Sequence, residues 1–291
     1  LFEQLAGLLQ HASLPLIPQE GSVGASGDLT PLSYVAAVLA GDREVIHQGE
    51  KKSALSALSA AVMVPLVLKP KEGLAIMNGT AVMTGLACLA FSRARYLGQL
   101  CTRITGLMII ALAGNPGHFD EALFAVKPHP GQNTVATRIR EDLAFYASAE
   151  RAEPRLQDRY SLRCAPHIIG VLEDALPWLR QFIEIELNSA NDNPIIDPDL
   201  GLLLHGGHFY GGHIAFAMDS LKNVVANLAD LMDRQMAQLV DPKLNHGLPA
   251  NLTGAKAGQA MLNHGFKAVQ IAVSAWTAEA LKLTMPASVF S

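Results

Sequence analysis

Between residues 213 and 241, apolar side chains fall at Ile214, Ala217, Met218, Leu221, Val224, Val225, Leu228, Leu231, Met232, Met236, Leu239 and Val240. Steps of three and four residues, held for about eight turns at 3.6 residues each, commit this segment to one long helix, and Pro242 ends it. Residues 171–187 carry the same period through Val171, Leu172, Ala175, Leu176, Leu179, Phe182, Ile183 and Leu187, with Pro177 expected to kink them. Two more helical stretches cover residues 74–113, with Gly85, Gly98 and Gly106 as weak points, and about 261–283. The chain also opens on a helical pattern at Leu1, Leu5, Leu8 and Leu9. Strand-like alternation is confined to residues 195–204. The expectation is an all-α fold, an extended bundle of long helices joined by Gly, Pro and Asn loops. No repeat or linker divides it, so residues 1–291 are expected to form a single helical domain.

Helices this long, apolar beyond one narrow stripe, pack on several neighbours. Half of the 291 residues are hydrophobic and 16% are charged, against roughly 25% in an average globular chain. A disordered polar chain is excluded, and some helix neighbours are expected to belong to other subunits. A net charge of −4 gives no positive field for nucleic acid or an acidic membrane surface. The apolar stretch at residues 54–68 contains serines and Pro65 and falls short of the roughly 18 apolar residues of a membrane span. Cys88, Cys101 and Cys164 form no CxxC pair, which excludes a disulfide framework and a cysteine zinc site and points to the cytoplasm. No signal peptide pattern opens the chain. With Leu1 first and Pro286-Ala287-Ser288-Val289-Phe290-Ser291 last, the sequence is expected to be a piece of a longer protein.

One loop carries a chemical argument. Gly21-Ser22-Val23-Gly24-Ala25-Ser26-Gly27-Asp28-Leu29-Thr30-Pro31 is neither GxGxxG, a GK[ST] loop nor GxSxG. From Thr30 it reads as the start of a helix, with Thr30 as N-cap, Pro31 in the first turn, and Gly41 past the end. That reading leaves Ala-Ser-Gly unexplained. In a tight bend the amide nitrogen of Gly27 can attack the carbonyl carbon of Ala25, because glycine has no Cβ in the way. Loss of water from the ring, and of the Ser26 hydroxyl with its α-proton, leaves a methylene conjugated to an imidazolone. No ordinary side chain supplies such an electrophile.

The segment GSVGASGDLTPLS resembles the signature of the aromatic amino acid ammonia-lyases and aminomutases, which include histidine, phenylalanine and tyrosine ammonia-lyases. Asn78-Gly79-Thr80, the run from Gln157 through Tyr160 and Arg163 to Cys164, the run from Asn188 to Pro194, and Gly206-Gly207-His208-Phe209 resemble the family's other motifs, in the same order. The resemblance implies the ammonia-lyase/fumarase-like helical fold. It also implies a 4-methylideneimidazole-5-one (MIO) prosthetic group formed autocatalytically from Ala25, Ser26 and Gly27, with no external cofactor. Asn78 would hold the MIO carbonyl or the adduct, and Arg163 would clamp the substrate carboxylate, assisted by Asn193. Gln157 and Tyr160 would line the MIO side of the pocket, Tyr160 as a proton relay or positioning hydroxyl. Phe209 would pack on the substrate or the MIO.

His205, His208 and His213 enclose no Asp or Glu, and the resemblance implies no metal. His208 and His167 stand where the family more often has asparagine and glutamine, a departure that bears on pocket polarity. The implied reaction takes ammonia from an aromatic L-amino acid to give a trans-α,β-unsaturated acid. The Pro286–Ser291 ending favours phenylalanine or tyrosine, with histidine as the other substrate. A homotetramer with shared active sites is implied, as are an N-terminal loop carrying the base and a C-terminal segment, both outside this sequence. Two alternatives stand beside the lyase: a 2,3-aminomutase, and a non-catalytic helical scaffold.

Overall fold

A computed structural model describes residues 1–144, 156–256 and 258–290. The helices are α1 (Phe2–Gln10), α2 (Leu29–Leu39), α3 (Ala54–Ala60), α4 (Glu72–Met77), α5 (Ala81–Ala111) and α6 (Glu121–Ala125). They continue as α7 (Pro130–Asp142), α8 (Tyr160–Arg163), α9 (Ala165–Leu187), α10 (Gly212–Val240) and α11 (Lys267–Lys282). The strands are short: β1 (Ser13–Pro15), β2 (Glu44–His47), β3 (Glu50–Ser53), β4 (Ile195–Asp197) and β5 (Leu202–Leu204). The protein is therefore all-α, with two small antiparallel sheets among the described residues. One compact unit comprises Leu1–Cys88, Phe182–Ala215 and Ser288–Ser291; a second comprises Leu89–Gln181 and Phe216–Ala287. Ser291, the last residue of the chain's ending, lies outside the described residues.

In the first unit, Leu8, Val38, Leu39, Val45, Ala54, Ala57 and Leu58 form a buried cluster to which α1, α2, α3 and β2 each contribute. The sheet β1-β2-β3 escapes the apolar pattern because β3 is Glu50-Lys51-Lys52-Ser53. Its signal lies in the turn. His47 pairs with Glu50, leaving Gln48 and Gly49 at φ 52° and 88°, the two positive values a tight primed hairpin turn requires. The β4–β5 hairpin falls in the expected segment, with Ile195 opposite Leu204.

Three helix boundaries correct the expectations, two of them beside the Ala25-Ser26-Gly27 loop and its Asn78-Gly79 neighbour. Helix α2 starts at Leu29 behind Asp28, not Thr30. The stretch expected over residues 74–113 breaks at Asn78-Gly79-Thr80 and not at its inner glycines. Asn78 N–H closes α4 on Leu74 O at 2.8 Å, and Thr84 N–H donates to Thr80 O at 3.0 Å as α5 begins. Asp28, 2% exposed, does not cap its own helix. Its carboxylate instead accepts from Met83 N–H in the first turn of α5 at 2.8 Å and from Ser22 Oγ at 2.9 Å. There the anion satisfies a free amide and faces the positive helix end.

In the second unit, α7 and α9 touch backbone to backbone. A Cβ on Gly131 would lie 2.1 Å from Gly170 O, and one on Gly170 would lie 2.6 Å from Gln132 N. Asp174 Oδ1 accepts from Gly131 N–H at 2.7 Å and caps α7 from across that crossing. A buried polar chain links three segments: Gln235 Nε2 donates to Thr105 Oγ1 at 3.0 Å and to Ser161 O at 2.9 Å. Helix α11 starts at Lys267, later than expected, since Phe266 N–H donates instead to Asn251 O at 2.8 Å. Helix α10 spans Gly212–Val240, as its period requires, and Pro177 sits inside α9. Among the described residues, Glu72–Ala111 is long and apolar enough to cross a membrane by length and composition, although the sequence had directed attention to residues 54–68.

Candidate active site

The tripeptide Ala25-Ser26-Gly27 is folded back on itself. Gly27 makes bridge pairings with both Gly24 and Ala25, so the two ends of the tripeptide meet. Gly24 and Gly27 have φ of 72° and 77°, the left-handed region that other residues occupy at a cost. A Cβ on Gly27 would lie 2.4 Å from Gly79 O. The next residue fixes that approach: Asp28 N–H donates to Gly79 O at 2.7 Å. Asn78, 5% exposed, donates from Nδ2 to Ser26 O at 2.8 Å. Glycine at residue 27 is thus required by space as well as by φ, and an amide donor already holds the carbonyl of the serine. These residues fit the autocatalytic cyclisation and its product.

The same unit holds Asn193 and Phe209, both half-buried. Asn193 Oδ1 accepts from Gly206 N–H at 3.0 Å, which leaves the NH2 end of that amide as the group it can offer a carboxylate. Thr80 Oγ1 donates to Glu186 Oε1 at 2.5 Å. Asn191, with its amide turned to satisfy both ends, donates to His208 O at 2.5 Å and to Glu186 Oε1 at 3.3 Å. Lys71 pairs with Asp192. A cleft of about 320 Å³ lies along Thr80, Glu186 and Asn191.

Gln157, Tyr160 and Arg163 belong to the second unit and are organised around buried Asp158. Asp158 N–H donates to His118 Nε2 at 2.9 Å, and its Oδ2 accepts from Asn115 N–H at 2.5 Å. Arg163 Nε donates to Asp158 O at 2.9 Å. Nη1 donates to Cys164 Sγ at 3.7 Å, so with Nε also held it is chiefly the Nη2 side that is left for a carboxylate. The guanidinium carbon lies 4.4 Å from the centroid of the Tyr160 ring, a cation–π contact that orients both side chains. Tyr160 is 74% exposed, and Gln157 is exposed as well.

His167 lies beside this group. Burial, with smaller contributions from Lys127 and Arg163, holds its pKa below the ordinary 6.5, so the ring is neutral near neutral pH. Among the described residues no group of three or more His, Cys, Asp or Glu could hold a metal ion. The motifs contained the expected residues but not all their supports. Asp28 and Thr80 stood inside quoted motifs without a role; Glu186, Asn115 and His118 stood outside them. For Glu186 one local signal existed, an anion in the last turn of α9, where the helix dipole disfavours it.

The family profile described as aromatic amino acid lyase matches residues 1–291. The histidine ammonia-lyase of Geobacillus kaustophilus (strain HTA426) is 41% identical over 292 residues, 100% of this chain and 57% of the relative. The crystal structure of phenylalanine ammonia-lyase from the yeast Rhodosporidium toruloides superposes with a TM-score of 0.88 at 34% identity, covering 98% of this chain and 44% of that one. The phenylalanine aminomutase of Pantoea agglomerans also gives a TM-score of 0.88 at 34% identity, covering 98% and 58%. The chain thus spans little more than half the length of the curated relative it matches.

Proposed function

The chain belongs to the aromatic amino acid lyase family, and from that premise we propose that the whole protein eliminates ammonia from an aromatic L-amino acid, leaving a trans-α,β-unsaturated acid. The observation that carries the proposal is the folded-back Ala25-Ser26-Gly27, with Gly27 against Gly79 O and Asn78 Nδ2 on Ser26 O. The MIO formed there supplies an electrophilic carbon that amino acid side chains lack. Asn78 hydrogen-bonds the Ser26 carbonyl and stabilises negative charge that develops on it. Arg163 offers chiefly its Nη2 side to the substrate carboxylate, and Asn193 offers its NH2 group. Tyr160, oriented on Arg163, presents its hydroxyl as proton relay or positioning group beside Gln157. Phe209 packs on the aromatic ring. A β-proton is only weakly acidic, so placement by these groups must supply much of the rate.

L-Histidine is the first substrate to test, supported by the relative at 41% identity; the chain ending alone favoured phenylalanine or tyrosine. The aminomutase resemblance keeps β-amino acid formation as the second reading. We propose further a cytoplasmic homotetramer with shared sites, and the three free cysteines, Cys88, Cys101 and Cys164, suit a reducing compartment.

The test is the intact mass of the protein as its gene encodes it, with deamination of histidine, phenylalanine and tyrosine assayed alongside. Loss of two waters is expected in the wild type and none in Ser26→Ala, whose turnover should fall by several orders of magnitude. Near-normal deamination by Ser26→Ala refutes the assignment. A wild type that keeps both waters favours a non-catalytic scaffold, and β-amino acid among the products favours the mutase.

A further inference from the structure

We infer that Glu186 is a positioning residue for the cyclising loop: its carboxylate braces Thr80 and Asn191, and through them the Asn78-Gly79 turn against which Gly27 is pressed. The inference rests on the reading that Ala25-Ser26-Gly27 becomes MIO. In that conversion the Gly27 N to Ala25 C bond forms, and the Ala25 carbonyl oxygen leaves as water with the amide protons of Gly27 and Ser26. The Ser26 hydroxyl then leaves with the α-proton as a second water. Nothing is oxidised or reduced. What the reaction needs is compression of the loop, and a wall that does not yield.

Gly79 is that wall. Its carbonyl is the nearest atom to a Cβ built on Gly27, and it accepts from Asp28 N–H at 2.7 Å. Thr80 follows directly. It is 1% exposed, and its hydroxyl donates to Glu186 Oε1 at 2.5 Å across 106 residues of sequence. Asn191 sits on the other side of the turn. Its Cβ is 3.5 Å from where a Gly79 Cβ would be, and its amide bridges Glu186 Oε1 and His208 O. One carboxylate oxygen therefore joins three segments of the first unit: the turn after α4, the loop after α9, and the loop before α10. Helix stability gives no reason for an anion here, one residue before the end of α9 at Leu187, where the dipole opposes it. The bonds from Thr80 and Asn191 supply that reason.

The experiment uses the protein as its gene encodes it. Wild type, Glu186→Gln, Glu186→Leu and Thr80→Val are compared by intact mass, by ultraviolet absorbance of the conjugated ring, and by thermal midpoint. Glutamine keeps an oxygen acceptor, so its converted fraction should stay within roughly threefold of wild type. Glu186→Leu should lower that fraction by roughly tenfold or more, in protein that still melts cooperatively. Thr80→Val removes the same bond from the other side and should act in the same direction; it decides the matter if Glu186→Leu does not fold. Conversion at the wild-type fraction in folded Glu186→Leu or in Thr80→Val overturns the role of Glu186 and leaves the MIO proposal standing. A wild type that keeps both waters overturns both.

Discussion

A Cβ at residue 27 would lie 2.4 Å from Gly79 O and 2.9 Å from its carbonyl carbon, both backbone atoms with no rotamer to move away. Gly27→Ala must therefore push the loop off the Asn78-Gly79 turn. The expected result is a protein that keeps both waters in its intact mass and loses about 1–3 kcal/mol of stability from overpacking and the positive φ. Unimpaired cyclisation in that variant would show that close approach to Gly79 is not what bends the loop. His167 makes the other residue-scale prediction. Its pKa is lowered in the folded state, by burial first and then by Lys127 and Arg163. Below 6.5 the unfolded chain therefore takes up a proton that the folded chain refuses, so stability falls as pH drops from 6.5 through the folded value. Thermal midpoints across that range should decline less steeply in His167→Gln, which carries no titrating ring. If the two curves decline in parallel, the proton belongs to a group other than His167.

At the scale of elements, the α7–α9 crossing is the contact with least slack. Gly170→Ala would place a methyl 2.6 Å from Gln132 N and 2.8 Å from Gly131 C, so the helices must separate and loosen the Asp174 cap on Gly131. A loss of about 1–3 kcal/mol is expected, read as a lower denaturant midpoint; an unchanged midpoint would mean the crossing relaxes freely. The long helices were legible because period survives any tertiary context: residues 213–241 were expected and α10 spans Gly212–Val240. The break in residues 74–113 was not, because Asn78-Gly79-Thr80 interrupts no apolar period and is held open by Asp28 and Glu186 from far along the chain. The β1-β2-β3 sheet was missed for a local reason, charged strands around a Gln48-Gly49 turn. The proposed site positions rest on a set of ordered motifs taken together, not on any one of them. Their supports, such as His118 under Asp158, depend on contacts that no spacing encodes.

For the whole molecule, α5 carries the argument about assembly, because it has two apolar faces and its own chain covers one. Ala87, Ala94, Cys101 and Met108 recur every seven residues and are all buried. Leu86, Leu100 and Leu107 lie at multiples of the same seven-residue step on the neighbouring face, with Arg93 at the one step between them, and are 62%, 37% and 67% exposed; Leu89, Tyr96 and Ile110 lie beside them. In the most apolar window of Glu72–Ala111, 22% of residues are buried within the chain. A second stripe at heptad spacing fits a neighbouring helix better than lipid, and Arg93, Arg95 and Arg103 interrupt the same helix. At about 25 cal/mol per Å² of apolar surface, covering this face in each copy gives a large driving force for association. In detergent-free buffer, size-exclusion chromatography with light scattering should therefore give a multiple of the chain mass, four copies on the tetramer proposal. A charge on the stripe, as in Leu107→Glu, should shift the distribution toward smaller species at equal concentration, since covering this face would desolvate the new carboxylate. A monomer of the wild type that turns over substrate at undiminished rate would remove both the interface and the shared sites.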